Sequence, residues 1–462
     1  MPGADPRAPD PGRRGPHVQG DPRAPNPDLA NPHGAGPPAS GRPTWSLDAL
    51  SPRARVGAPG QGSIAGWTLA LVRAASPNPH GDTRAAAAVA EAIIRSAVPG
   101  AETVLLAGPD GVTNLVARLR GAGPGQRVVF NGHLDTYPVG DPAGWTADPA
   151  GELRDSRIYG RGSADMKGGI AASIAALAAL AVQRAHWRGE AVLTLAGDEE
   201  SMGPAGTKWL MDTIPHATGD AAIIGDAGSP QVLRFGEKGF LWVEIEARGR
   251  AAHGAHVHLG DNAVERLLAA LARVQALRDL PVAASDAVRD AIAASRAISE
   301  LLAGAGEGDV LGQVTVNIGR IEGGTSTNLV PDLARAGLDI RLPVGVTAAD
   351  AVAALAQALD LPGVSHRVLR QFEPNHTDPG APLVRICAAA AREVTGGDVA
   401  VNMRVGGSDA RWFRMAGVPT VVYGPTPHGM GGPDEWVDLA ELDLVARVHA
   451  LTAFDLLQGA AP

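Results

Sequence analysis

Five short segments of the 462-residue chain carry side chains that could do chemistry together. The first is Asn131-Gly132-His133-Leu134-Asp135. On an extended backbone, residues two apart point to the same side, so His133 and Asp135 project together. A carboxylate beside an imidazole is how a metal-bound histidine is held in one tautomer; a surface His–Asp pair has the same spacing. The second runs Gly160-Arg161-Gly162-Ser163-Ala164-Asp165-Met166-Lys167-Gly168-Gly169. It differs from a dinucleotide-binding G-x-G-x-x-G because Asp165 replaces the third glycine, where a pyrophosphate would be repelled. A carboxylate on a glycine-rich turn suits a cation, or simply caps the helix that follows. The third is Gly197-Asp198-Glu199-Glu200, directly after the apolar run AVLTLA. Three consecutive acids at the end of a buried strand repel one another unless they meet solvent or a cation, and a cleft at a sheet end favours the cation. The fourth is Asp226 in Gly225-Asp226-Ala227, and the fifth is His428 after the run TVVY. Each of these two, alone, reads as an ordinary loop residue.

Together the segments say more. His133, Asp165, Glu200, Asp226 and His428 are two imidazoles and three carboxylates, which is about the set needed by two zinc ions roughly 3.5–4 Å apart that share one carboxylate. A serine hydrolase is a competing class, because Ser408 in Gly406-Gly407-Ser408-Asp409-Ala410 precedes His428. That chemistry needs a strand ending at the serine and an acid between serine and histidine. Asp409 adjoins Ser408 instead, so the metal reading leads.

The elements that must position these residues follow from the apolar pattern. Residues 127–130, 191–196, 221–225 and 420–423 read as short buried strands, and 67–73, 83–97 and 382–394 as helices. Buried strands alternating with helices predict an α/β layer with a mostly parallel sheet, which places ligands at the carboxyl ends of its strands. The run IAASIAALAALAV (170–182) is 13 residues long, short of the roughly 20 that span a bilayer, and reads as a helix buried on most faces. The texture changes near residue 232. Residues 241–247 alternate apolar and polar, 261–277 form an amphipathic helix, 314–318 and 336–340 read as strands and 348–359 as a helix. That order predicts an inserted α+β, ferredoxin-like domain.

Composition bounds the rest. Lys+Arg is 40 against Asp+Glu 49, a net charge of -9, which argues against nucleic-acid binding. Gly (59) and Pro (37) together exceed the usual share, and residues 1–44 alone hold 12 Pro and 7 Gly. That segment has almost nothing to bury and is expected to be disordered. It shows no basic start followed by an apolar run, and the lone Cys387 allows no internal disulfide, so a cytoplasmic protein is expected; a start site placed too far upstream is the other explanation of the segment.

At this point the residues resemble a known family, the M20 metallopeptidases and amidohydrolases, which includes acetylornithine deacetylase, succinyl-diaminopimelate desuccinylase, aminoacylase and the glutamate carboxypeptidases. The resemblance covers roughly residues 63–458. Its carriers are HLD (133–135), GRGSADMKGG (160–169), DEE (198–200), Gly225-Asp226, AAHGAHVHLGDNA (251–263), IEGGTSTNLVPDLARAGLDIRLP (321–343) and GGSDARW (406–412). The resemblance implies a dimetal aminopeptidase-like catalytic domain (63–233 and 373–462), an inserted lid and dimerisation domain (234–372), and an extension over 1–62. It implies two divalent metal ions, zinc or alternatively cobalt or manganese, bridged by Asp165. His133 and Asp226 would complete one site, and Glu200 and His428 the other. Asp135 would orient His133, and Glu199 would act as general base. His253 would stabilise the oxyanion, commonly across a homodimer, while Asn328 and Arg341 would hold a substrate carboxylate. The Asp165–Met166 peptide would be cis. One departure stands out. The family commonly carries its last ligand four residues before the Glu of its D-E segment, and here Gly431 stands four before Glu435, with His428 the nearest histidine.

The implied reaction is hydrolysis of the amide bond of an N-acyl amino acid. A dipeptidase or carboxypeptidase of the same fold is the alternative, and a non-catalytic binding protein is a third. Small molecules or short peptides are the expected partners, without nucleic acid or membrane. Two crossings between the domains, near 230–235 and 370–376, are expected to act as hinges.

Overall fold

The computed structural model describes residues 51–56, 61–79 and 81–459. The segment expected to be disordered, 1–44, lies outside the described residues. Within the stretch 1–62 expected to be an extension, Pro52–Val56 is helical. Val56 is buried there, and the Arg53 guanidinium grips Asp455 (Nε to Oδ1 2.8 Å) while reaching Glu393. The next helix spans Gln61–Arg73.

The parallel strands form the middle of a nine-stranded sheet. Its order is Glu102–Ala107, Thr113–Arg120, Glu190–Ala196, Arg127–His133, Ala221–Ile224, Thr420–Val422, Val232–Glu237 and Asn375–His376, with Ala400–Arg404 pairing alongside Val232–Glu237. Arg127–His133 runs parallel to both its neighbours, and Thr420–Val422 parallel to Ala221–Ile224, while the outer pairings are largely antiparallel. Alternation along each strand feeds two cores. Val128 and Phe130 join the helices Arg84–Ala97, Gly168–Val182, Pro382–Thr395 and Leu439–Leu457. Val129, Val192 and Ile224 meet Leu210 and Phe413 of the short helices Thr207–Thr213 and Ala410–Met415 on the other face. The apolar helix Gly168–Val182 sits at the centre. Together with the turn before it, Ser163–Val182 is long and apolar enough to cross a membrane, but 83% of that window is buried inside the fold. Gly169 lets its first turn abut the end of Ala221–Ile224, since a Cβ there would stand 1.8 Å from the Gly225 carbonyl oxygen.

A second, four-stranded antiparallel sheet has the order Thr315–Gly323, Leu333–Leu342, Gly239–Arg248, Val364–Phe372. Its alternating burial points Leu241, Val243, Ile245 and Ile340 at the helices Ala263–Val274 and Ala348–Ala358, giving this unit its own apolar core. The strand–helix–strand–strand–helix order is that expected, and the strand Val364–Phe372 that closes the sheet is an addition to it. The crossing falls later than residue 233, because Val232–Glu237 belongs to the large sheet through its pairing with Ala400–Arg404.

One pair of elements was not expected. Asp286–Ala303 and Glu307–Gly312 are helices between Ala263–Val274 and Thr315–Gly323. Asp286–Ala303 packs against Ala400–Arg404, and Val288 and Leu311 enter the core of the large sheet. The pair therefore ties the second unit to the first. Lys238, at the crossing, donates to the carbonyls of Val310 (2.6 Å) and Gln313 (2.7 Å).

Candidate active site

His133, Asp165 and Asp226 meet at the carboxyl end of the large sheet, each offering a ligand atom within 4.8 Å of the others. His133 is the last residue of its strand, and its Nε2 lies 3.0 Å from Asp165 Oδ1. Its Nδ1 donates to the Asp135 backbone carbonyl at 2.9 Å, so Nε2 is the nitrogen turned to Asp165, where a bound cation would take the place of its proton. The orientation expected from the Asp135 carboxylate thus comes from the Asp135 main chain. The carboxylate, 3.7 Å from Nδ1 at its closer oxygen, is committed elsewhere. It accepts the backbone N–H groups of Glu199 (3.2 Å) and Glu200 (3.0 Å) and the Asn78 amide (2.8 Å). Asp135 therefore clamps the acid loop beside the cluster.

Asp165 is held by its backbone. Glu435, buried to 1% exposure, accepts the N–H groups of Ala164 (3.1 Å) and Asp165 (3.2 Å) through Oε1. Its Oε2 pairs with Arg161 at 2.5 Å. The Asp165–Met166 peptide is cis, and Gly162, at φ 81, supplies the left-handed turn ahead of it.

The electrostatics are lopsided. Asp135, Asp165, Glu199, Glu200, Asp226 and Asp409 all act on this pocket, against the guanidiniums of Arg404 and Arg411 and the buried amine of Lys167. Burial pushes the Glu199 carboxyl up to about 8. Burial and the charge of Asp165 push Glu200 up to about 10. Asp226 is raised too, by burial. His133 is driven the opposite way from what burial alone would do, because Asp165 holds its imidazole well above the ordinary value. Glu200 Oε1 is buried with no hydrogen-bond partner. A surplus of buried carboxylate with an orphaned oxygen and an imidazole among the donors is a set that divalent cations satisfy.

Other residues named from the sequence lie elsewhere. His428 does not join the cluster. Its ring lies flat on the Trp436 indole (centroids 3.7 Å, interplanar 2°), its main chain pairs with Trp436, and its charged neighbours are Arg157 and Asp438. The glycine-rich loop thus turns this histidine into the indole rather than back over the sheet end. His253 is exposed on the second unit, with Nδ1 accepting the Ala255 N–H at 3.1 Å. Asn328 is beside it, its carbonyl taking the Gly254 N–H at 2.7 Å. Arg341 presents Nε and Nη2 to Asp339 of its own strand at 2.8 and 2.9 Å. These three are not in contact with the cluster. Two arginines that the sequence reading passed over are: Arg404 reaches Asp226, and Arg411 Nη1 stands 3.5 Å from Glu199 Oε1. Arg411 lies in the GGSDARW segment, two residues after Asp409, so the signal for it stands in that motif.

The model of peptidase family M20/M25/M40 matches residues 129–455. Succinyl-diaminopimelate desuccinylase of Paracoccus denitrificans is 32% identical over 356 residues, 74% of this chain and 85% of that protein. The enzyme of the same name from Gluconacetobacter diazotrophicus is 33% identical over 353 residues, 74% and 84% of the two chains. Among solved structures, the M20 family metallo-carboxypeptidase Sso-CP2 of Sulfolobus solfataricus matches with a TM-score of 0.71 at 18% identity, over 86% of this chain and 99% of that one. The YXEP protein of Bacillus subtilis, described as a dinuclear metal binding peptidase, gives 0.58 at 14% identity, over 86% and 98%. At such identities the two structures speak for the fold.

Proposed function

The chain belongs to peptidase family M20/M25/M40 and is a hydrolase of amide bonds, and from that premise we propose that it removes the acyl group of an N-acyl amino acid with the help of divalent metal. The observation that carries the proposal is the convergence of His133, Asp165 and Asp226 with Glu199 buried beside them. Desuccinylases more than 30% identical over most of the chain favour an acyl-amino acid over a peptide.

His133, Asp165 and Asp226 would hold one ion, and Asp165 and Glu200 would hold a second. The donor set suits zinc, with cobalt or manganese as substitutes. When bound, these ions polarise the scissile carbonyl and acidify the attacking water. The remaining work falls to the chain. Glu199 Oε1, steadied by Arg411 at 3.5 Å, takes a proton from that water and returns it to the leaving amine. Asp135 keeps Glu199 and Glu200 in place through their backbone N–H groups. His253, whose Nδ1 accepts the Ala255 N–H and so leaves Nε2 as the donor, meets the developing oxyanion, supplied by a second copy of the chain in a homodimer. Asn328 and Arg341 meet the substrate carboxylate, which shares the Arg341 fork with Asp339. We propose a cytoplasmic enzyme of small molecules: Cys387 is a free, buried thiol, and the net charge of -9 disfavours nucleic acid.

A panel of N-succinyl and N-acetyl amino acids and of dipeptides, assayed with zinc or cobalt and with chelator, tests this reading. Chelator-sensitive release of the acyl acid is expected. Turnover of dipeptides alone would move the assignment to a peptidase, and no turnover of any member would favour a binding protein.

A further inference from the structure

Arg404 is a largely buried cation that the reaction above leaves unused. Arg404 ends the strand Ala400–Arg404, and its Nη1 donates to Asp226 Oδ2 at 2.5 Å. The other oxygen of that carboxylate, Oδ1, accepts the Ala227 N–H, also at 2.5 Å. Asp226 is therefore oriented by the chain from both sides.

Of the two residues before Arg404, Asn402 is anchored to the unexpected helix pair and Met403 to a residue that faces it. Asn402 Nδ2 donates to Ser299 Oγ at 2.8 Å, and Ser299 in turn bonds Glu307. Glu307 faces Arg234 (3.6 Å), and Arg234 donates to the Met403 carbonyl at 2.5 Å. Asn402 and Ser299 are fully buried, and Arg234 and Glu307 nearly so. A polar seam with so little solvent is rigid, since each member left unpaired is costly. One short run of chain thus has its first residue fixed by Ser299 of Asp286–Ala303, its second by Arg234 of the neighbouring strand, which Glu307 faces, and its third gripping a candidate ligand.

We propose that Arg404 is a positioning residue for the metal centre: it orients the Asp226 carboxylate, and the helix pair braces it through Asn402 and through the Arg234–Glu307 pair that holds Met403. The proposal rests on Asp226 being a ligand, as read above. Outer partners of metal ligands are commonly worth about 10–100-fold in metal affinity, and the fork of an arginine is not reproduced by the point charge of a lysine.

The test is metal binding to the full-length chain, stripped and then titrated with Zn²⁺ against a chromophoric chelator and with Co²⁺ by its visible spectrum. The unsubstituted chain is expected to take two ions. Arg404→Met is expected to bind one of them about 10–100-fold more weakly and the other unchanged, and Arg404→Lys to recover only part of the loss. Ser299→Ala, on the brace and away from the ions, is expected to weaken the same ion by a smaller factor. Two ions bound by Arg404→Met with unaltered affinity would overturn the proposal alone. No ion bound by the unsubstituted chain would overturn it together with the metal-dependent function. If Arg404→Met fails to fold, Arg404→Lys decides, and unaltered binding there overturns the proposal.

Discussion

Replacing Asp135 by Asn probes how the acid loop is held. The carboxylate is fully buried and accepts three donors: Glu199 N–H at Oδ1, and Glu200 N–H and the Asn78 amide at Oδ2. Asparagine keeps one acceptor oxygen. With that oxygen in the Oδ2 position two bonds survive, but the new NH₂ meets the Glu199 N–H, donor against donor. A buried donor left without an acceptor costs about 1–3 kcal/mol, and each surviving bond, no longer to a charged group, loses about 0.5–1.5 kcal/mol. Removing one of the charges that press on Glu200 offsets part of this, leaving a net loss of about 2–4 kcal/mol by these magnitudes. Urea unfolding of metal-free wild type and Asp135→Asn, followed by far-UV circular dichroism, measures it without interference from bound ions. Hydrolysis by the loaded variant should also fall, because Glu199 loses its backbone anchor. Stability within about 0.5 kcal/mol of wild type, with full activity, would refute the clamp.

Four further outcomes follow from the same structure. Glu435→Gln breaks the buried pair with Arg161 and should cost about 3–5 kcal/mol in denaturant unfolding, whereas a purely peripheral Glu435 would cost almost nothing. Gly169→Ala drives a Cβ into the Gly225 carbonyl and should lower stability by about 1–3 kcal/mol or more; a neutral effect would contradict the close approach. His449 is buried with its Nε2–H on the Tyr423 carbonyl, and burial lowers its imidazole to about 4 from an ordinary 6.5. The neutral ring is the form that fits, so this position costs nothing above pH 6.5 and should remove about 2 kcal/mol by pH 5. A shallower loss over that window in His449→Gln is the expected sign, and an identical slope would argue against it. Finally, His428→Ala should keep the metal content of wild type, since the ring lies on Trp436; loss of one ion would show that the loop turns inward when loaded.

Much of the site was legible because its ligands sit at the ends of short apolar strands. His133 after RVVF, Glu199 and Glu200 after AVLTLA, and Asp226 after AAIIG are placed by the sheet itself, so recognising the strands located the residues. His428 lies apart from the cluster for the opposite reason: it stands in a glycine-rich loop, where the direction of a side chain depends on a tertiary contact, here the Trp436 indole, that spacing does not encode. The orienting role of Asp135 was read from the period of an extended strand. Its carboxylate is diverted by two N–H groups more than 60 positions away in the chain. Helix Asp286–Ala303 is hard to place from sequence because only Val288, Ser295 and Ser299 are fully buried and two of these three are serines. Arg404 and Arg411 read as ordinary charges until folding carried them to Asp226 and Glu199.

Metal-dependent hydrolysis with Glu199 as the proton carrier is tested by comparing Glu199→Gln with wild type. Both chains are loaded with zinc, their metal content is measured, and turnover of an N-succinyl amino acid that the wild type cleaves is followed. Retained metal with a fall in kcat of about 10²–10⁴-fold is the predicted result. Cleavage at an undiminished rate by the loaded Glu199→Gln chain would contradict it.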